Sequence, residues 1–248
     1  MKRRLFVAAS ISAALGGCAP VTNALNNNAA IHRVISYDGA FNRFAIGRGA
    51  LARIYPQSAV TPISTYPIDS LPTPTDPVYA ALRSHGFRDY RLAVDGLVER
   101  PQRFTLPQLN AMALIDQATR HDCVEGWSVV GRWKGVALGS LLGLVRPMSK
   151  ARYVVFHAFD VDQQGAKFYD SLDLHQAAQP QTQLALYFNG RPVPADNGGP
   201  VRLRVPTQLG YKSTKWVRRI ELVDSFKHIG GGNGGYWEDN GYEWFAGI

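Results

Sequence analysis

The period of apolar and polar positions changes repeatedly along the chain, and each change predicts an element. Asp76-Pro77 predicts the start of a short helix, with Pro in its first turn, running to about His85. Arg91 to Val94 and Leu97 to Val98 flank Asp95-Gly96, which reads as a hairpin-like turn between two short strands. Thr105-Leu106-Pro107-Gln108 has capping-box spacing and predicts a short helix to about Met112. Gln117 to Arg120 predicts a strand running into Cys123. Leu138, Leu141, Leu142 and Val145 recur at helical spacing. Residues 152–159 are β-rich, and Ser171 is expected to cap a helix reaching Ala178. Leu184 to Phe188 predicts a strand ending at the turn Asn189-Gly190. Val201 to Val205 alternates apolar and basic residues, and Trp216 to Val223 predicts another strand. Short strands mixed with short helices imply an α+β domain, a mixed β-sheet core with short helices. No internal repeat is visible.

The N-terminal segment follows different rules. Lys2, Arg3 and Arg4 precede an apolar run from Leu5 to Leu15, which is shorter than the roughly 20 residues a membrane-spanning helix needs. Leu15-Gly16-Gly17-Cys18 then sets two small residues before a cysteine. Residues 1–17 therefore read as a signal peptide of lipoprotein type, and Cys18 as the lipidated N-terminus after cleavage. Arg3-Arg4-Leu5-Phe6-Val7 also resembles a twin-arginine signal. The expected location is the periplasm, with membrane contact only through the N-terminal lipid. Residues 18–77 form an N-terminal extension and a Pro-rich linker containing Pro56, Pro62, Pro67, Pro72, Pro74 and Pro77. Within it, Phe41-Asn42-Arg43-Phe44 is expected to pack onto the main domain, residues 78–248.

Charge adds one constraint. The formal net charge of +8 falls to +5 when Lys2, Arg3 and Arg4 leave with the leader. The remaining basic residues are scattered, and export argues against nucleic acid as a partner. The excess fits a polyanionic ligand in a pocket equally well.

The chain has two cysteines, so once Cys18 carries lipid no second cysteine is left for a disulfide to Cys123. Cys123 lies in Arg120-His121-Asp122-Cys123-Val124-Glu125-Gly126-Trp127-Ser128, flanked by charged groups and not by core residues. Cationic neighbours favour a thiolate, which serves as either a nucleophile or a metal ligand. A structural zinc site needs about four ligands at short spacing, and the histidines show no His-x-x-x-His pair. A cysteine hydrolase with His121 or His157 as base stays open at this point. The Gly-rich stretch Gly230 to Gly235 lacks Walker spacing and a following helix pattern. It reads as a flexible active-site loop bearing Tyr236 and Trp237.

Residues 85–245 resemble the catalytic domain of the sulfite oxidase/methionine sulfoxide reductase family of molybdopterin-dependent oxidoreductases. The resemblance rests on Cys123-Val124-Glu125-Gly126-Trp127-Ser128, then Trp133-x-Gly135 and Leu141-Leu142. It continues through Leu184-Ala185-x-x-x-Asn189-Gly190-x-Pro192-x-Pro194, Asn197-Gly198-x-Pro200-x-Arg202-Leu203 and Gly210-Tyr211-Lys212-Ser213-x-Lys215-Trp216-Val217. Gly235-Tyr236-Trp237 and Gly241-Tyr242 close it. Cys-Val-Glu-x-Trp-Ser is nearer the periplasmic methionine sulfoxide reductases than the sulfite oxidases, whose cysteine is followed by an Arg-bearing segment.

The resemblance implies a sulfite-oxidase-like catalytic fold and a molybdenum–molybdopterin cofactor. It makes Cys123 the metal ligand and catalytic residue, with Asn197, Arg202, Ser213, Thr214 and Lys215 as cofactor contacts. Asn42 is carried over as a contact from a Tyr-Asn-Asn-like motif, here Phe41-Asn42-Arg43. His121, Glu125 and Trp127 are expected around the metal ligand, while Arg204, Arg218 and Arg219 read as a solvated basic strand end. A family Thr about 35 residues after the cysteine is replaced by Ala158. The implied reaction is two-electron oxygen-atom transfer on a small-molecule substrate. A membrane b-type cytochrome or a cytochrome c would be the electron partner. The rival readings are a non-catalytic envelope lipoprotein that keeps the fold as a binding module, and a cofactor-free cysteine enzyme.

Overall fold

The computed structural model describes residues 51–67 and 73–248. The expectations for the leader, for Cys18 and for Phe41 to Phe44, Asn42 included, lie outside these residues.

Among the described residues ten strands follow in chain order: β1 (Arg91–Gly96), β2 (Gln102–Thr105), β3 (Leu114–Asp122), β4 (Ser128–Ala137), β5 (Tyr153–Val161), β6 (Lys167–Asp173), β7 (Gln183–Phe188), β8 (Arg191–Pro192), β9 (Arg202–Arg204) and β10 (Val217–Val223). They form two sheets. The first has the order β2-β1-β10-β5-β6 and is mixed, because β1 runs parallel to β10 while the other pairs are antiparallel. The second is antiparallel, ordered β3-β4-β7-β8, with β9 also paired to β7. The described residues also form short α-helices: α1 (Pro77–Ser84), α2 (Leu106–Asn110), α3 (Leu138–Val145), α4 (Leu174–Ala177) and α5 (Tyr236–Asp239).

Local chemistry explains most of these limits. Asp76 caps α1 by accepting from the backbone N–H groups of Val78 at 2.8 Å and Tyr79 at 3.0 Å, with Pro77 in the first turn. Thr105 and Gln108 make the reciprocal bonds of a capping box at the start of α2. All four apolar residues at helical spacing in α3 are buried. They join a core that takes Leu92, Val94, Val154, Phe156, Ile220 and Leu222 from the first sheet and Val136, Leu184 and Leu203 from the second.

Three local expectations are corrected. Asp95-Gly96 is not a hairpin turn, because both residues pair with Glu221 and Leu222 of β10 and the strand continues through them. A long-range parallel pairing overrides the local turn preference there. Ser171 lies inside β6, and Asp173 caps α4 by accepting from Gln176 N–H at 2.7 Å. A one-turn helix, α5, does follow the Gly-rich stretch.

Candidate active site

A cavity of about 240 Å3 opens where the tip of the β3–β4 hairpin meets the segment after β9, the strand β6 and the helix α5. Cys123, Ser213, Thr214 and Lys215 line it, together with His121, Glu125, Asp160, Tyr169, Asp170, Tyr211, Trp237 and Tyr242. Ala158 lines it too, at the position where the family resemblance expects a threonine.

Cys123 is half-buried in the five-residue turn that joins β3 to β4. The backbone closes on itself there: Cys123 N–H donates to Trp127 O at 2.9 Å, and Gly126 N–H to Cys123 O at 3.0 Å. Next to it, Asp122 accepts from Ser128 and from Arg120 Nε at 2.9 Å, which ties off the base of the turn. Glu125 accepts from Trp127 Nε1 at 2.9 Å. The Trp127 ring packs 5.6 Å from that of His121. Glu125 and Trp127 thus belong to the cysteine turn itself, and His121 packs beside it.

Arg204 lies directly behind this turn and is almost completely buried. Its Nη1 donates to His121 Nδ1 at 3.1 Å and to Ser213 Oγ at 3.2 Å. Its Nη2 donates to Thr119 Oγ1 at 3.2 Å and to Arg120 O at 3.0 Å. Burial lowers the Arg204 pKa to about 10, which still leaves it charged at neutral pH. Burial first, then the positive charges of Arg204, Arg202 and Lys215, hold His121 well below the usual imidazole range. His121 is therefore neutral, and because Nδ1 accepts from Arg204 its proton sits on Nε2.

Arg202 shares the face of β9 with Arg204, two residues on. Both guanidinium groups lie over the Trp133 ring, at 5.4 and 5.5 Å from its centre. Arg202 Nη1 donates to Asn197 O at 2.9 Å. Asn197 and Arg202 are buried and bonded to each other, next to the cavity lining and not in it. Two glycines make the approach of these segments possible. A side chain at Gly198, whose φ is +98°, would meet Lys215 Cγ at 2.8 Å. One at Gly210 would meet His121 Nε2 at 2.7 Å. The motif glycines thus let the Asn197-Gly198 turn close over Lys215 and let the Gly210–Lys215 segment lie against the cysteine turn.

This arrangement fits an anionic, polar ligand. Among the described residues no carboxylate pairs with Arg202 or Arg204, although both are buried. Arg202 Nε, Arg204 Nε and Thr214 Oγ1 are buried polar atoms with no hydrogen-bond partner among the described residues. Buried donors left in this state carry a desolvation cost that an anionic ligand would offset.

The family model for the oxidoreductase molybdopterin-binding domain matches residues 79–228. The chain belongs to this family. A putative protein-methionine-sulfoxide reductase subunit YedZ1 of Azospira oryzae is 36% identical over 252 residues, covering 99% of this chain and 87% of the relative. The protein-methionine-sulfoxide reductase catalytic subunit MsrP of Xanthomonas axonopodis pv. citri is 36% identical over 160 residues, or 60% of this chain. The chain spans about half the length of that relative, 49%. Among solved structures, the sulfane dehydrogenase SoxCD of Paracoccus pantotrophus aligns with a TM-score of 0.50 at 24% identity, over 56% of this chain and 39% of its own. That likeness shows the shared sulfite-oxidase-like fold. Buried cations with orphaned donors behind a cavity lined by Cys123 and the Ser213–Lys215 segment fit a domain that binds molybdopterin.

One residue of this site departs from the sequence expectation, which groups Arg204 with Arg218 and Arg219 at a solvated strand end. Those two do lie outside the core, Arg219 on Asp95 at 2.8 Å and Arg218 within 3.9 Å of Asp76, but Arg204 does not. The period-two rule contained the answer: once Arg202 faces inward, Arg204 shares its face. Tyr236 stays outside the cavity, stacked on Phe168 at 3.9 Å, whereas Trp237 lines it. The buried trio Lys212, Asp170 and Glu238 had no sequence signal, since its members are far apart in the chain.

Proposed function

We propose that this chain is an exported oxidoreductase that binds molybdenum–molybdopterin through Cys123 and reduces sulfoxides by two-electron oxygen-atom transfer. One observation carries the reading. The Cys123 turn and the Ser213–Lys215 segment face one cavity, backed by two buried arginines with unpartnered donors.

Cys123 would supply the thiolate to the metal. Ser213, Thr214, Lys215, Arg202 and the Asn197 turn would hold the pterin and its phosphate, with Asn42 as a further contact. When bound, the cofactor supplies two-electron redox chemistry coupled to transfer of an oxygen atom. The protein contributes placement and field. The arginine pair offers planar donor forks to an anion. His121, neutral and protonated on Nε2, offers a hydrogen-bond donor and adds no charge beside the thiolate. Phe168, Tyr211, Trp237 and Tyr242 give the cavity aromatic walls suited to a thioether or sulfoxide group.

A cofactor-free cysteine mechanism is less well served. His121 is occupied by a cation, and Nε2 of His157 lies 2.8 Å from Glu221. Sulfoxide reduction is the direction supported by the names of two relatives, both called protein-methionine-sulfoxide reductase. Electrons would come from a membrane b-type cytochrome or a cytochrome c. In this reading residues 1–17 are removed, Cys18 carries lipid on the periplasmic side, and residues 78–248 form the catalytic domain.

Metal analysis and Mo(V) EPR on protein matured with a working cofactor pathway test the proposal. Stoichiometric molybdenum and sulfoxide turnover with a reduced viologen dye are expected. Protein free of molybdenum under those conditions would overturn it.

A further inference from the structure

Reducing a sulfoxide consumes protons as well as electrons. The S–O bond breaks and the oxygen leaves as water, so each turnover takes two electrons and two protons. Under the reading above, the electrons come from a one-electron redox protein, or from a reduced viologen dye in the assay. The reaction also requires a proton donor in the cavity.

The structure contains a buried group suited to the task. The Lys212 ammonium, wholly buried, bonds both Asp170 and Glu238, whose side chains are 6% and 1% exposed. Two carboxylates and one ammonium leave one net negative charge in a medium that tolerates charge poorly. One oxygen of the trio, Glu238 Oε2, is buried with no hydrogen-bond partner among the described residues, which is a costly state for an anion. A single shared proton neutralises the excess and belongs to the pair, not to either acid alone.

Asp170 is the member that faces the reaction cavity, on the same lining as Cys123 and Lys215. Tyr211 on the 210–212 turn, Asp160 on β5, Tyr169 on β6 and Lys215 share its cavity lining, as do His121, Cys123, Glu125 and Tyr242. The charges that act on Asp170 are those of Lys212 and Glu238, so the excess negative charge stays within the trio.

We propose that the Asp170–Glu238 pair, bridged by Lys212, holds one proton at neutral pH and that Asp170 delivers it to the leaving oxygen of the substrate. The pair is then reprotonated from solvent through the cavity mouth, and water supplies the second proton. Burial, with the nearby Glu238 charge, raises the Asp170 pKa well above the usual carboxylate range against the opposing pull of Lys212, in agreement with this geometry. The inference rests on the sulfoxide-reduction reading.

Infrared difference spectroscopy reads the proton without turnover. A carboxylic-acid C=O band at pH 7 is expected in both cofactor-free and loaded wild-type protein, and its loss in Asp170→Asn and Glu238→Gln. Absence of the band in the wild type overturns the proposal. Steady-state reduction of a methyl sulfoxide with reduced viologen reads the function. Per bound molybdenum, Asp170→Asn is expected to lower kcat roughly 100-fold or more with KM within about twofold, following the usual contribution of a positioned general acid. Glu238→Gln, which leaves the Asp170–Lys212 pair intact and removes the shared proton, is expected to lose kcat similarly and serves if Asp170→Asn does not fold. Unchanged kcat in either folded variant defeats the inference while the wild type still turns over. An inactive, molybdenum-free wild type defeats the underlying reading instead.

Discussion

The Arg204 guanidinium donates to His121 Nδ1 at 3.1 Å, and both side chains are buried. The contact joins β9 to the strand that ends in the Cys123 turn. It also places a positive charge behind a neutral imidazole, so the wall of the cavity is cationic and its donors are fixed in direction. Arg204→Met removes that charge and four hydrogen bonds. Because the charge is unneutralised in the cofactor-free protein, the larger effect falls on the loaded form. The difference in Tm between loaded and cofactor-free protein is expected to shrink, with cofactor retention weakened by about 2 kcal/mol or more. Pterin content and paired melting curves check this. An unaltered Tm difference would contradict it.

Gly210→Ala tests the close approach between the two segments of the site. The added methyl group would sit 2.7 Å from His121 Nε2 and 3.2 Å from Asp122 O. Relief requires the Gly210–Lys215 segment to move away from the cysteine turn. A stability loss of about 1–3 kcal/mol and reduced pterin content are expected, read by denaturant unfolding and by fluorescence of released pterin. Wild-type values for both would show that the approach is not constrained.

Lys215 lines the cavity with its ammonium 4.1 Å from the centre of the Trp216 ring. Lys215→Ala is expected to weaken cofactor retention by about 1.5–3 kcal/mol, the usual contribution of a hydrogen bond to a charged group. Pterin content after purification is the readout, and full retention counts against a phosphate contact.

His157 gives the fold a predictable pH dependence. Burial lowers its pKa below the ordinary value of 6.5, although its bond to Glu221 pulls the other way. The unfolded chain therefore binds a proton more readily than the native one below about pH 6.5, so stability is full above that pH and falls as pH drops through the folded pKa. Wild-type Tm should decline more steeply below pH 6.5 than that of His157→Gln, which keeps a donor at the Nε2 position without titrating. Parallel slopes would contradict the assignment.

The parts of the fold set by neighbouring residues were legible in the sequence. The Thr105–Gln108 capping box, the apolar spacing of α3 and the Asn189-Gly190 turn each depend on residues within a few positions of one another. The errors arose where distant segments decide. Asp95-Gly96 has good turn chemistry, yet pairing with β10 keeps it in a strand. Ser171 is a competent cap, but its hydroxyl instead donates to Gly234 O from within β6. The site was legible as far as its motifs reach, which brought Cys123 and the Ser213–Lys215 segment to one cavity. Arg204 reads as solvated because basic residues on a short strand usually face solvent, although its two-residue spacing from Arg202 sets both on one face of β9, which is buried throughout. The Asp170–Lys212–Glu238 trio stayed invisible because it joins β6, a turn and α5 across long stretches of chain.

The proposed bond from Cys123 to molybdenum is tested most directly by X-ray absorption at the molybdenum edge, on loaded wild type and Cys123→Ser. The account predicts that the variant shows one fewer sulfur at bonding distance and loses sulfoxide turnover. The same sulfur count in both proteins would contradict it.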